Sequence, residues 1–161
     1  MKLIHPLKPI YDKNSKILIL GSFPSTISRK SSFYYANKNN RFWLIIENLF
    51  NIKLNTIKEK KLFLLKNNIA LWDVIYSCEI NKSNDSSIKN VIPNNINSII
   101  NKSQIKHIFV TGKTALKYYN KYLLNKLKIE AIYLPSSSSA NARYSLNKLI
   151  NEYKIILEYL K

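Results

Sequence analysis

Apolar residues follow two rhythms along this chain. Short unbroken runs, KILIL at 16–20, IALWDVI at 69–75, KHIFV at 106–110 and IEAIY at 129–133, have the length and β-branched content of buried strands. Between them the apolar positions recur every three or four residues. Ile45, Ile46, Leu49 and Phe50 continue such a pattern from Phe42, and Leu116, Tyr119 and Leu123 mark another after Gly112. Thr56 and Glu59 have the spacing of a capping box, which predicts a helix over 57–66. Pro93 suits the first turn of a helix reaching about Asn101. Leu146, Leu149, Ile150, Tyr153, Ile156, Leu157 and Leu160 make one apolar helical face of about four turns.

Strands that alternate with helices imply right-handed crossovers and a parallel sheet covered on both faces. The expectation is an α/β fold of one domain over residues 1–161, with four parallel strands. Binding groups then collect on the loops at the carboxyl ends of the strands, here 21–41, 73–92, 111–113 and 134–143.

Composition changes the picture in two ways. The 161 residues carry a formal net charge of +17, which points to a polyanion partner. Lys, Asn, Ile and Tyr are also the products of A/T-rich codons, so part of that charge is compositional drift. Residues that resist such drift are then informative. Against 23 Lys there are only three Arg, Arg29, Arg41 and Arg143, and only two Gly, Gly21 and Gly112. All five fall on the loops named above. No apolar run approaches the roughly 18 residues of a membrane span, and Pro6 and Pro9 interrupt any signal-peptide core. A soluble cytoplasmic protein is expected. One cysteine, Cys78, excludes a disulfide framework and any Cys-based zinc or iron–sulfur site within the chain.

The motifs sort by elimination. GKTA at 112–115 looks like the end of a phosphate-binding loop, but His107 stands where the first glycine is required, so a strand-to-helix turn is expected. SSSS at 136–139 is no serine nucleophile: there is no GxSxG elbow, and neither His5 nor His107 has a setting that supports a catalytic base. A polar loop that donates to phosphate, with Arg143 behind it, fits better. GSFPS at 21–25 puts Phe23 between a flexible glycine and a stiff proline. It reads either as a turn with Phe23 in the core or as a pocket floor on which a base stacks. LWDV at 71–74 ends a buried strand on Asp73, whose carboxylate must face a cleft or a partner; NDSS at 84–87 adds short polar groups. YYANKNNRFW at 34–43 gathers Asn40, Arg41, Phe42 and Trp43; the last three are expected to anchor a loop-to-helix junction, with Phe42 and Trp43 in the core.

KILILGSFPS, YYANKNNRFW, ALWDVIYSCE with NDSSI, and LPSSSSANAR, in this order, resemble the uracil-DNA glycosylase superfamily, in particular its hypoxanthine-DNA (DNA-deoxyinosine) glycosylase branch. The resemblance implies a single three-layer α/β/α sandwich around a central four-stranded parallel sheet, matching the reading above. It implies a monofunctional enzyme that flips a deaminated base from double- or single-stranded DNA and hydrolyses its N-glycosidic bond, leaving an abasic site. No metal or other cofactor is expected, since the sequence shows no ligand cluster, and a monomer is expected. By position, Asn40 is the catalytic amide that orients water through its carbonyl oxygen, with neighbouring Asn39 the other candidate. Gly21, Ser22, Phe23 and Asp73 bind the base; Ser25, Arg41, Ser136, Ser137, Ser138, Asn141 and Arg143 contact DNA. Several positions depart from the family's pattern. Phe23 replaces the water-orienting Asp or Asn of uracil enzymes, Asp73 their base-reading Asn, and Leu134 the His that opens their second motif. Asn37, Lys38 and Asn39 stand for His-Pro-Arg, and Ser139 for a Pro. These departures argue against efficient uracil excision. The competing expectation is a non-catalytic nucleic-acid-binding protein that keeps the fold; a small-nucleotide binder lacks its glycine loops.

Overall fold

The structure, a computed structural model, describes residues 2–81 and 87–161. Four strands, β2 (Ile17–Gly21), β3 (Ile69–Asp73), β6 (His107–Thr111) and β7 (Ala131–Leu134), form a parallel sheet in the order β3-β2-β6-β7. Every residue of the central β2 is buried. Side chains alternate across it. Ile17 and Ile19 join a core with α2 (Phe42–Phe50), α3 (Ile57–Lys66), α7 (Leu146–Tyr153) and α8 (Ile155–Tyr159). Leu18 and Leu20 join the opposite core, with α4 (Ile96–Ile100) and α5 (Lys113–Tyr122). Two apolar faces on one sheet need two helical layers, so the α/β/α sandwich follows from the strand composition. Short helices α1 (Thr26–Ser31) and α6 (Leu124–Leu127) complete the set.

Three expectations need correction. The run 69–75 is not one strand. It ends at Asp73, turns at Val74, and continues as β4 (Ile75–Glu79) in a second, antiparallel sheet with β1 (Lys2–Ile4) and β5 (Lys89–Pro93). Continuous apolarity says that both pieces are buried; it does not say that they share a sheet. Pro93 ends β5 rather than starting a helix, and α4 begins at Ile96. Lacking an N–H, a proline is tolerated in such an edge strand. The long C-terminal helix is interrupted at Lys154. Elsewhere the pattern holds: α3 has the expected bounds, with the Thr56 hydroxyl accepting the Glu59 N–H at 3.0 Å, and Phe42 and Trp43 are buried.

The switch between sheets is held by hydrogen bonds. Val74 N–H and Ile75 N–H donate to the carbonyls of Gly21 and Ser22, and the buried Asn94 amide donates to the carbonyls of Asp73 and Ile75. The N-terminal segment runs across this junction. His5 N–H donates to Tyr76 O on β4, and Ile10 pairs with Leu71 at the edge of β3.

Candidate active site

At the carboxyl ends of β2, β3 and β6 the chain leaves a cavity of about 470 Å³. Gly21, Ser22, Phe23, Ser25, Asn40, Asp73, Ser136, Ser137 and Ser138 all line it, so three of the separate loops converge there. Tyr34, Tyr35, Thr111 and Lys113 line it as well. Asn39 is exposed and does not line the cavity, whereas Asn40 does, together with Asn37. Residues 84–86 of NDSS lie outside the described residues.

Asp73 forms the floor and is only 4% exposed. Its Oδ2 accepts a hydrogen bond of 2.7 Å from His5 Nε2. Its Oδ1 lies over Gly21: a Cβ at that glycine would come within 2.6 Å of it. This close approach, not backbone conformation, is why position 21 holds glycine. Tyr34 and Tyr35 flank the carboxylate, and burial, with the charge of Asp73 second, holds both phenols well above their ordinary pKa. Both are therefore neutral. Tyr35 adopts a left-handed backbone (φ 53°), costly for a bulky residue, and its ring stacks on Phe42 at 4.0 Å.

Phe23 faces the cavity while packing against the core beneath it. The Arg29 guanidinium lies 5.6 Å from its ring centre and donates to Pro24 O at 2.7 Å, bracing the GSFPS turn from behind. Ser25 lines the cavity and also caps α1, its hydroxyl accepting the Ser28 N–H.

Asn40 differs from expectation in one atom. Its Oδ1 accepts the Phe42 N–H at 2.9 Å and the Ser137 hydroxyl at 2.8 Å, which occupies both carbonyl lone pairs. A backbone N–H can only donate, so the assignment of oxygen and nitrogen is fixed. The NH₂ group makes no hydrogen bond among the described residues and is the part of the amide open to a bound molecule.

Arg41, expected both to anchor the loop-to-helix junction and to contact DNA, staples the serine loop. Its guanidinium donates to the carbonyls of Ser137, Ser138, Asn141 and Tyr144, and its own N–H donates to Ser137 O. Asn141 is a brace too, its amide donating to Ser136 O at 3.0 Å. The Ser136 and Ser138 hydroxyls each accept a backbone N–H two residues on and retain their own protons to donate. Arg143 is exposed and makes none of these contacts. GKTA is the strand-to-helix turn expected, Gly112 having φ 90°, although Lys113 and Thr114 also face the cavity.

The sequence reading missed His5, which was set aside for want of a supportive setting. Asp73 provides that setting, from 68 residues away. One signal was present: a carboxylate on a buried strand demands a partner, and the chain has only two histidines. Among the described residues, no group of three or more His, Cys, Asp or Glu is placed to hold a metal, and no helix is long and apolar enough to cross a membrane.

A carboxyl-floored, aromatic-walled cavity at the carboxyl edge of a parallel sheet is the binding crevice of a doubly wound α/β protein. The sequence profile of the Uracil DNA glycosylase superfamily matches residues 8–161, and the chain belongs to that superfamily. It is 37% identical over 142 residues to a Methanosarcina acetivorans protein named Hypoxanthine DNA glycosylase, covering 86% of this chain and 89% of the relative. A Methanosarcina barkeri protein of the same name is 32% identical over 138 residues, covering 84% and 86%. An M. acetivorans protein solved by solution NMR, and described there as a candidate uracil DNA glycosylase, superposes with a TM-score of 0.84 at 31% identity over 99% of both chains.

Proposed function

We propose that this DNA glycosylase releases hypoxanthine from DNA, hydrolysing the N-glycosidic bond and leaving an abasic site. One observation carries the choice of base: the floor is a buried carboxylate with one oxygen held by His5 and the other making no hydrogen bond among the described residues. A carboxylate only accepts hydrogen bonds. Hypoxanthine offers it the N1–H; adenine presents a bare N1 at the same place, and a buried charge facing a lone pair is rejected strongly. Phe23 stacks on the ring.

Glycosidic cleavage builds positive charge on the sugar before water attacks, so solvent needs placement more than deprotonation. A water that accepts a hydrogen bond from the Asn40 NH₂ keeps a second lone pair for the anomeric carbon. The serine hydroxyls at 136 and 138, with Lys113 and Arg143, take the flanking phosphates. In this reading residues 1–161 work as one domain and as a monomer, in the cytoplasm, on duplex or single-stranded DNA. The competing non-catalytic reading has no observation in its favour.

The test is an incubation with duplex and single-stranded oligonucleotides containing hypoxanthine, uracil or xanthine, followed by alkali. Strand breaks at hypoxanthine that need the alkali step are expected. Binding without breaks would overturn the proposal. Asn40→Ala should abolish release and spare DNA binding; Asn40→Asp, which replaces the free NH₂ by an acceptor, should also be inactive. An active Asn40→Asp enzyme would mean that water is held through an oxygen.

A further inference from the structure

We propose that His5 is a positioning residue for base recognition: as a neutral Nε2–H imidazole it holds Oδ2 of Asp73, so that Oδ1 is presented to the base as an acceptor. The inference rests on the assignment of Asp73 to the base given above.

Three contacts define the state of the ring. Nε2 lies 2.7 Å from Asp73 Oδ2, with the two side chains 1% and 6% exposed. Nδ1 accepts the backbone N–H of Leu7 at 3.3 Å. Because that N–H has no other role than donor, Nδ1 carries no proton, and the single ring proton is on Nε2. The imidazole is therefore a neutral donor, not a cation. It occupies one carboxylate oxygen without cancelling the charge on the group. The third contact is with Phe23, whose ring meets His5 edge to face at 5.8 Å. One residue thus backs both the floor of the cavity and its stacking surface.

The frame holding His5 is rigid. Its own N–H donates to Tyr76 O at 2.6 Å, Pro6 follows, and the segment is fastened again where Ile10 pairs with Leu71. On the other side of Asp73, Gly21 leaves room for Oδ1, which lies 2.6 Å from where a Cβ would stand. The carboxylate is clamped between a donor and a glycine, which fixes its plane. This has a specific consequence for an asparagine at position 73. A fixed donor at His5 forces the amide to turn its oxygen toward Nε2–H and its NH₂ toward the base. Such a side chain opposes the N1–H of hypoxanthine, and it does so only while His5 is present.

The test uses the full chain in three arms. First, nitrogen NMR of the histidine rings in the free protein should show His5 protonated on Nε2 and bare on Nδ1; a proton on Nδ1, alone or with Nε2, overturns the proposal. Second, single-turnover excision of hypoxanthine should fall about 10- to 100-fold in His5→Leu, the loss expected for a hydrogen bond to a charged group. It should recover to within about threefold in His5→Gln, whose amide can donate near the Nε2 position. Equal losses in the two variants, or none, refute the role. Third, Asp73→Asn should be no more active than Asp73→Ala, and adding His5→Leu to Asp73→Asn should raise activity several-fold by freeing the amide to turn. A double variant weaker than Asp73→Asn sinks the idea, because a merely structural histidine can only make matters worse. Thermal melts show whether His5→Leu folds; if it does not, the NMR arm and the comparison of Asp73→Asn with Asp73→Ala decide. If the wild type releases no hypoxanthine, the functional reading fails, while the first arm still tests the clamp.

Discussion

Replacing Arg41 by methionine separates two jobs that an arginine beside a DNA site can do. Methionine keeps most of the aliphatic stem and deletes the guanidinium. The bonds lost run to Ser138 O at 2.7 Å, Asn141 O at 3.1 Å, Ser137 O at 3.4 Å and Tyr144 O. A hydrogen bond to a charged group contributes about 1.5–3 kcal/mol when water cannot replace it. Here the loop is half-buried and the Ser137 bond is long, so water replaces part of each lost bond and the set falls well below the roughly 6 kcal/mol of four bonds at the lower end. A total near 3 kcal/mol is reasonable, which for a chain of this length lowers the melting temperature by roughly 6–12 °C. If the loop opens locally instead, the loss appears as faster amide hydrogen exchange between Ser137 and Tyr144. Excision should fall about tenfold or more, since Ser137 also orients Asn40. DNA affinity measured against salt is the discriminating assay. A lost phosphate contact would reduce the log–log slope by about 0.9, whereas a lost staple leaves it unchanged. A smaller slope with the melting temperature and loop protection unaltered would refute the reasoning.

Two further perturbations test the site. Gly21→Ala places a methyl where Asp73 Oδ1 lies, 2.6 Å away. With the carboxylate held by His5, excision should drop at least about 100-fold, against about 1–3 kcal/mol of stability for the overpacking. Normal excision of hypoxanthine would show that Oδ1 does not read the base. The buried tyrosines predict an alkaline limit. Burial holds the phenols of Tyr34, Tyr35 and Tyr153 well above their ordinary value, with Asp73 adding to the first two, and burial pushes Tyr119 up to about 12. The unfolded chain ionises these groups from about pH 10 while the folded one does not. Stability is therefore unaffected below pH 10 and falls above it by roughly 1.4 kcal/mol per pH unit for each such group. Tyrosinate absorbance of the native protein should show these phenols silent until unfolding; ordinary titration of all eleven tyrosines would contradict the burial described.

How legible the site was depended on which interactions are local. GSFPS, LWDV and the serine run announced themselves because each is a short polar or stiff interruption at the end of an apolar run, and the doubly wound pattern puts such ends together. Asn40 was legible only through its resemblance to a family motif. The atom it offers was not, because Oδ1 is claimed by Ser137, whose hydroxyl arrives from 97 residues away. The partners of Arg41 were hidden for a related reason. An arginine among asparagines beside a DNA site looks like a phosphate contact, and only the folded loop shows four carbonyls within its reach.

Periodicity alone determined the layers: five buried residues in β2, with apolar side chains on both faces, require helices on both sides, whatever else the chain does. It determined most of the helices and the edge at which chemistry gathers. It could not determine where the run at 69–75 changes sheets, since buried β-structure looks the same in either. Nor could it pair His5 with Asp73. That pairing is a matter of one donor reaching one acceptor across a junction of two sheets, and no spacing in the sequence encodes a distance of 2.7 Å between residues so far apart.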